Sequence, residues 1–187
     1  MKEKVTKSKL KQDILDIVKF VIIILAMYLL IFKVILGVET VSGPSMQPTF
    51  ESGDKVITLR HSSIKRGDIV ILKAPDNPNA LYIKRVIGLP GDKISYKDDQ
   101  LYLNGKKVSE KYLTEGKREF SPDTTYTTDF SLQSKGLGNK VPTNDYFVMG
   151  DHRNVSKDSR YFGYVKKDKI IGKVILRYWP LTSWATY

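Results

Sequence analysis

An apolar run near the N-terminus constrains this chain more than any other feature. From Phe20 to Phe32 the sequence is FVIIILAMYLLIF, thirteen residues without a charge. Apolar neighbours extend the run to Ile17–Leu36, which is twenty residues. As a helix it would be about 30 Å long, which matches the hydrocarbon core of a bilayer.

Three interpretations of this run compete. A core helix of a globular domain is disfavoured, because the run is apolar on all sides and has no polar face. A cleavable signal peptide would share the basic start, but Ile35-Leu36-Gly37 is a poor match to the small residues of a cleavage site. An uncleaved membrane anchor fits best, since Lys19 and Lys33 lie near its ends, where long side chains reach the headgroups.

The distribution of positive charge predicts how this anchor is oriented. No Lys or Arg occurs from Val34 to Asp54, whereas five lysines precede the apolar run: Lys2, Lys4, Lys7, Lys9 and Lys11. The positive-inside rule therefore predicts a single-pass protein of the cell membrane. Residues 1–16 would be a cytoplasmic basic tail, 17–36 the transmembrane anchor, and 37–187 an extracellular domain.

The part after the anchor is predicted to be mostly β structure. Asn104-Gly105 suits a two-residue hairpin turn, because both positions need a positive φ. Residues 114–140 are rich in Ser, Thr, Gly, Asp and Lys, and are predicted to form an irregular loop. Short apolar runs bounded by turn residues predict strands at Lys55–Arg60, Asp68–Lys73, Leu81–Ile87, Lys93–Tyr96, Gln100–Leu103, Lys106–Val108, Tyr146–Met149 and Ile170–Tyr178.

Composition excludes several kinds of chemistry. The 187 residues include no cysteine, which excludes disulfides, a thiol nucleophile and cysteine-bound zinc. His61 and His152 are the two histidines, so no metal and no cofactor are expected. The net charge of +11 favours an anionic partner, which is either a nucleic acid or a membrane surface.

The segment Ser42–Thr49, SGPSMQPT, holds the first candidate for chemistry. Gly43 and two prolines restrict the backbone around Ser45, which makes this serine a candidate nucleophile. A simple turn is the alternative, since Gly-Pro-Ser is common in turns.

The segment Leu81–Ile87, LYIKRVI, holds the second candidate. If Lys84 points inward from this strand, burial lowers the pKa of its ammonium group and allows it to act as a general base. The alternative is an edge-strand lysine in water, which protects a sheet edge against aggregation.

The third candidate is Gly150–Arg160, GDHRNVSKDSR, which is dense in polar side chains. Five interpretations remain open from these residues alone. The segment could be a solvated loop, a phosphate site or a shell of ion pairs around a site. It could also supply a Ser–His–Asp arrangement that uses His152, or a metal site formed by His152, Asp151 and Asp158.

In their order, these three segments resemble the motifs of the bacterial type I signal peptidases, particularly the compact single-anchor enzymes of Gram-positive bacteria. The end of the domain, Gly172-Lys173 followed by Arg177-Tyr178-Trp179-Pro180, is also similar to that family. The resemblance covers the anchor and most of the exported domain, and is weakest in a variable segment of about 95–141. It implies a signal-peptidase-like β fold on one transmembrane helix.

The resemblance also implies roles for individual residues. Ser45 would be the nucleophile and Lys84 its base, in a serine endopeptidase that cleaves signal peptides from exported preproteins. The backbone N–H of Ser45 would form part of the oxyanion hole, while Gly43 stands where some members contribute a serine hydroxyl. The supporting residues would be Ser156, which orients the lysine, and two bracing ion pairs, Asp158 with Arg160 and Asp151 with Arg85.

One departure from the family pattern is His152, where asparagine is usual. Two other functions compete with proteolysis. A membrane-anchored assembly factor, for example in pilus assembly, would bind exported proteins without needing Ser45 or Lys84. A self-cleaving repressor is disfavoured by the anchor and by the lack of a DNA-binding helix pair. The expected partners are therefore signal peptides and membrane lipid rather than nucleic acid.

The position of Ser45 supports this interpretation, because it lies nine residues beyond Leu36. That distance is at most about 30 Å of extended chain, so the nucleophile must act near the outer membrane surface. Four large side chains fit either contact with the membrane interface or core packing: Met46, Phe50, Trp179 and Trp184.

Overall fold

The predicted anchor is helical in the structure. This is a computed structural model that describes residues 2–77 and 79–187. Met1, part of the predicted cytoplasmic tail, lies outside the described residues. Helix α1 spans Lys2–Leu30 and continues as a π-helical turn, Ile31–Ile35. Within it, Lys11–Ile35 is long and apolar enough to cross a membrane, and none of that stretch is buried.

The helical conformation ends at Ile35, one residue before the predicted end of the anchor at Leu36. Leu36 has extended backbone angles, φ −109° and ψ 153°, and begins the first strand by pairing with Leu59. An apolar run gives no signal of this change, because leucine suits both a membrane helix and a strand. The pairing partner decides it.

Twelve strands and two further short α-helices follow within the described residues. The helices are α2, Thr114–Phe120, and α3, Ser159–Phe162. The strands are β1 (Leu36–Thr40), β2 (Lys55–Leu59), β3 (Ile69–Lys73), β4 (Leu81–Gly88), β5 (Ile94–Lys97), β6 (Gln100–Leu103), β7 (Lys106–Val108), β8 (Phe130–Ser131), β9 (Asp145–Met149), β10 (Val165–Lys166), β11 (Ile170–Trp179) and β12 (Ala185–Thr186).

These strands form two antiparallel sheets. The larger has eight strands in the order β1-β2-β11-β3-β4-β9-β10, with β12 paired to β11. The smaller has the order β7-β6-β5-β8. The mostly β fold on one N-terminal apolar helix is therefore confirmed, and each of the eight predicted strands is present with ends that differ by at most one residue.

The predicted irregular loop at 114–140 was wrong in part, because it contains α2 and β8. α2 has only seven residues, and contacts made after folding support it rather than its own sequence pattern. At Gly116 an added Cβ would lie 3.2 Å from Pro48 and 2.7 Å from the hydroxyl of Tyr126, so the helix backbone packs tightly there.

A buried apolar cluster lies beneath the loop between β1 and β2. Met46 and Phe50 are fully buried in it, so both are core residues and not membrane contacts. Trp179 and Trp184, by contrast, are at least half exposed. The other members of the cluster come from the large sheet and the loop: Val41, Val56, Ile69, Ile71, Ile83 and Val174.

Candidate active site

The loop between β1 and β2 presents Ser45 from a fixed backbone. Gly43 has φ +83°, a left-handed conformation that a residue without a Cβ adopts at little cost. The buried Met46 ties the loop to the core, and its carbonyl oxygen accepts a hydrogen bond from the N–H of Phe50 at 2.9 Å. Ser45 itself is only half-buried, so its hydroxyl is held in place and still open to a substrate.

Lys84 reaches this serine from strand β4. Its Nζ lies 2.7 Å from Ser45 Oγ and donates a second hydrogen bond to the backbone oxygen of Ile83 at 3.0 Å. The residue is only 3% exposed. Two residues that are 39 positions apart are thus brought together, a hydroxyl against an amine.

Burial also adjusts the proton affinity of this amine. It lowers the pKa of Lys84 from 10.5 to about 8, against the opposing effect of the Asp158 and Asp151 carboxylates. Desolvation disfavours the charged form, and two acids at longer range do not fully compensate. A substantial fraction of the lysine is therefore neutral near pH 8 and able to accept the proton of the Ser45 hydroxyl.

Behind the lysine, Arg85 and Asp151 form a two-pronged ion pair. Arg85 Nε lies 2.8 Å from Asp151 Oδ1 and Nη2 lies 2.6 Å from Oδ2, in the fork geometry of a strong pair. The hydroxyl of Thr49 donates to the same carboxylate at 2.6 Å. Asp151 therefore links Arg85 on β4 to Thr49 in the loop between β1 and β2 that carries Ser45.

Asp158 and Arg160 form a second forked pair at 2.8 Å for each contact. The carboxylate of Asp158 also accepts the N–H of Gly150 at 3.0 Å. Arg160 donates to the backbone oxygen of Arg153 at 2.9 Å. This pair therefore fixes the backbone of the loop Gly150–Arg160 from inside.

Ser156 is buried close to the dyad but does not make the contact that the resemblance implies. Its hydroxyl has no hydrogen-bond partner in the part of the chain that the structure describes, Lys84 included. A Cβ added to Gly150 would collide with both Ser156 Oγ and the backbone oxygen of Ser45. Gly150 therefore permits the close approach of two site segments, a role that the sequence did not reveal.

His152 supports the nucleophile loop from the side. Its backbone N–H donates to the oxygen of Ser45 at 3.1 Å, and its ring stacks on Phe120 of α2 at 3.9 Å between centroids. Burial lowers the pKa of His152. Lys84 is the basic side chain that contacts Ser45 Oγ, and within the described residues the His152 ring makes no hydrogen bond to Ser45 or to an aspartate.

The proposed metal alternative has no structural support either. Within residues 2–77 and 79–187, no group of three or more His, Asp or Glu side chains is arranged to hold a metal ion. Instead, Asp151 forms an ion pair with Arg85, and Asp158 forms one with Arg160.

Sequence reasoning missed a buried network that joins the small sheet to the site. Arg153 Nη2 lies 2.7 Å from the carboxylate of Glu110, and Nη1 lies 2.7 Å from the hydroxyl of Tyr96. Tyr112 also donates to Glu110, and its ring lies 4.0 Å from the Arg85 guanidinium. The participants are far apart in the chain, so no local pattern could have identified them.

A small cavity of about 70 Å³ opens beside Ser45 and Lys84. Its apolar walls include Val41, Ile71 and Ile83. One water molecule needs about 10–15 Å³ of such volume, so this space can hold a few waters or a small group. A larger cavity of about 1020 Å³ lies elsewhere, between the segments His61–Ile64 and Lys166–Asp168, and none of the site residues lines it.

Comparisons with known proteins identify the family. Residues 14–179 match the family described as signal peptidase, peptidase S26. The chain is 48% identical over 149 residues to signal peptidase I of Bacillus caldolyticus, covering 78% of this chain and 80% of that protein. It is 38% identical over 184 residues to signal peptidase IB of Staphylococcus aureus strain COL, covering 93% and 94%.

A solved structure from the same family is also similar to this chain. The crystal structure of a signal peptidase I from Enterococcus faecalis V583 is similar, with 43% identity and a TM-score of 0.57, over 60% of this chain and 97% of that one. The chain therefore belongs to the signal peptidase family, peptidase S26.

Proposed function

We propose that the protein is a membrane-bound serine endopeptidase that removes signal peptides from exported preproteins, with Ser45 as nucleophile and Lys84 as general base. The observation that carries this proposal is the 2.7 Å contact between Lys84 Nζ and Ser45 Oγ at a buried amine. A serine hydroxyl is a weak nucleophile until a nearby base accepts its proton. The pKa of about 8 gives Lys84 that capacity.

The reaction follows from the positions of these two groups. Neutral Lys84 accepts the hydroxyl proton as Ser45 Oγ bonds to the scissile carbonyl carbon. The tetrahedral adduct collapses when the C–N bond breaks, and the Lys84 ammonium returns the proton to the leaving amine. Water then attacks the acyl ester with Lys84 again as base, which releases the signal peptide's carboxylate and regenerates Ser45.

The backbone N–H of Ser45 is the candidate donor to the developing oxyanion. It has no acceptor among the hydrogen bonds of the described residues, so it is free to bind a substrate oxygen. Losing one such donor typically costs about 2.7–4 kcal/mol of transition-state stabilisation. The supporting pairs Arg85–Asp151 and Asp158–Arg160 would maintain the loop positions on which this geometry depends.

We further propose the topology predicted by the lysine distribution. The anchor at 17–36 would place residues 1–16 in the cytoplasm and the catalytic domain 37–187 outside. Membrane lipid would be the second partner, because Trp179, Leu181 and Trp184 are exposed and aromatic rings favour the lipid interface. Protease protection of intact cells tests this: an accessible domain agrees with the proposal, and a protected one contradicts it.

The deciding experiment is cleavage of a purified preprotein by the detergent-solubilised full chain. We expect cleavage after a small residue, as mass spectrometry of the products would show, and loss of cleavage in both Ser45→Ala and Lys84→Ala. Ser63→Ala and Lys73→Ala remove the same residue types from exposed positions and should retain activity. Full activity in either site variant would refute the dyad.

The same experiment distinguishes the proposed enzyme from an assembly factor. A protein that only binds exported chains would retain the preprotein without releasing a shortened product. The Ser45–Lys84 contact favours the enzyme, because binding requires neither a buried lysine nor a hydroxyl beside it.

A further inference from the structure

The fold returns an arginine to the end of the anchor. Along the sequence, no Lys or Arg occurs from Val34 to Asp54. The pairing of β2 with β1 nevertheless brings Arg60 back, and its backbone N–H donates to the oxygen of Ile35 at 2.8 Å. In the proposed topology the chain leaves the outer leaflet at this point. A positive charge therefore lies at the level of the lipid headgroups.

The guanidinium of Arg60 is held against β1 and keeps two nitrogens for a further partner. Its Nε donates to the backbone oxygen of Leu36 at 3.2 Å. Gly37 leaves room for this side chain, since an added Cβ would lie 3.3 Å from Nη2. Within the described residues, neither Nη1 nor Nη2 forms a hydrogen bond or an ion pair. Such a fork of N–H donors matches the oxygens of a phosphate group.

Two basic segments meet next to this arginine. Residues 60–67 and 165–173 together contain seven Lys or Arg and one Asp. The first segment lines the cavity of about 1020 Å³ from His61 to Ile64, and the second lines it through Lys166 and Lys167. The two segments are far apart in the sequence, so the fold alone brings their charges to one place.

The acidic groups in this region do not neutralise these cations. Three of the seven have a carboxylate partner: Arg66 with Asp92 at 2.8 Å, Lys173 with Asp68 at 3.7 Å, and Lys169 with Asp168 at 3.9 Å. The other four, which form no ion pair within the described residues, are Arg60, Lys65, Lys166 and Lys167. Seven cations against these three carboxylates and Asp145, which also lines the cavity, leave an excess of three positive charges.

The cavity also has an apolar part, formed by Ile64, Ile170 and Ile171. A phospholipid places a phosphate group next to its glycerol and the start of its acyl chains, so it offers both kinds of surface. A free phosphate ion would use the cations and leave the isoleucines in water. The position beside the anchor and the mixed walls therefore favour a lipid over a soluble anion.

We propose that Arg60, Lys166 and Lys167 bind the headgroup phosphate of an anionic phospholipid in the outer leaflet. This inference rests on the proposed topology and adds a lipid class and a site to the membrane contact. A bound headgroup would hold the large sheet at a fixed tilt to the bilayer, next to the anchor. Each cation near an anionic lipid surface contributes about fivefold to the affinity.

The test titrates the full chain in detergent with phosphatidylglycerol or phosphatidylcholine and measures bound lipid by native mass spectrometry. Both lipids contain a phosphate, but only phosphatidylglycerol has a net negative charge. We expect phosphatidylglycerol to bind at least about tenfold more tightly. Raising the ionic strength from about 0.05 to 0.5 M should reduce this preference. An equal concentration of glycerol 3-phosphate should not displace the lipid, and displacement would overturn a lipid site.

The variant Arg60→Gln/Lys166→Gln/Lys167→Gln should lose the preference for phosphatidylglycerol. Lys166→Gln/Lys167→Gln changes exposed side chains only and should weaken the preference even if loss of the Arg60 contacts unfolds the triple variant. The matched control removes three exposed cations from the small sheet, none of which lines the cavity, and should keep the preference: Lys97→Gln/Lys106→Gln/Lys107→Gln.

The outcomes separate the lipid site from the proposed enzyme activity, because lipid binding is measured without cleavage. Equal binding of the two lipids by the unmodified protein would overturn the site. Equal loss of preference in the control and in the triple variant would overturn the role of these three residues, since net charge would then suffice. Selective lipid binding by a preparation that does not cut a preprotein would keep the lipid site and refute the proposed function.

Discussion

Lys84 offers the sharpest test of the proposed chemistry. The pKa of its amine determines both the expected rate of cleavage and the loss of folding stability caused by burying the charge. With a pKa of about 8, roughly one molecule in eleven carries the neutral amine at pH 7. With the ordinary value of 10.5 that fraction would be about one in three thousand. Burial therefore increases the fraction of neutral Lys84 about 300-fold at this pH.

The same shift predicts a change in stability. Lowering the pKa of Lys84 from 10.5 to about 8 corresponds to about 3 kcal/mol. Because the pKa in the folded state lies below that in the unfolded state, the folded protein binds fewer protons between pH 8 and 10.5. The free energy of unfolding therefore rises with pH across this window, and the full penalty is present below pH 8.

Replacing the amine by an apolar side chain of similar length should remove this penalty. We expect Lys84→Met to be inactive yet more stable than the unmodified protein at pH 7, by up to about 3 kcal/mol. The hydrogen bonds that Lys84 makes to Ser45 and Ile83 reduce this gain. The difference should shrink as the pH is raised to about 10.

The assay measures kcat/KM from pH 5.5 to 10 with the solubilised full chain and a preprotein. The rate should fall about tenfold per pH unit below pH 8, as the free enzyme's base becomes protonated. His152→Asn is the control, because His152 also titrates in the acid range. A profile that stays flat to pH 6, or a Lys84→Met protein no more stable than the original, would refute the reasoning.

Three further substitutions test the loop around the dyad. Gly150→Ala should lower kcat more than it raises KM in the folded protein, because the new methyl group would displace Ser156 and Ser45; an unchanged kcat would contradict this. Asp151→Asn leaves a buried arginine without its anion, which costs about 3–5 kcal/mol, and should lower Tm by at least about 6 °C in a thermal melt. His152→Asn should retain most cleavage, since the ring contacts Phe120 rather than the Ser45 hydroxyl, and complete loss would assign the ring a chemical role.

Strand positions were largely predictable from the sequence, because alternating apolar residues and turn signals are local. Gln100–Leu103 and Lys106–Val108, joined by Asn104-Gly105, have the predicted bounds. Strand β1 was missed because only its pairing with β2 distinguishes it from the end of the anchor. α2 was missed because its stability depends on distant contacts.

The site was predictable only through family resemblance. No local pattern indicates that Ser45 and Lys84 meet, since a fold must bring them together across 39 positions. Burial of Lys84 likewise depends on β4 having neighbours on both sides, β3 and β9. The Glu110–Arg153 network was beyond reach for the same reason, with 43 positions between its members.

The junction between helix and sheet has a mechanical consequence. Ile35 ends the helical turn, Leu36 begins β1, and the oxygen of Ile35 accepts a hydrogen bond from the N–H of Arg60 at 2.8 Å. No flexible tether separates the anchor from the domain. In the proposed topology, this direct connection fixes the distance between Ser45 and the bilayer surface. Each substrate must therefore present its scissile bond at that distance to be cut.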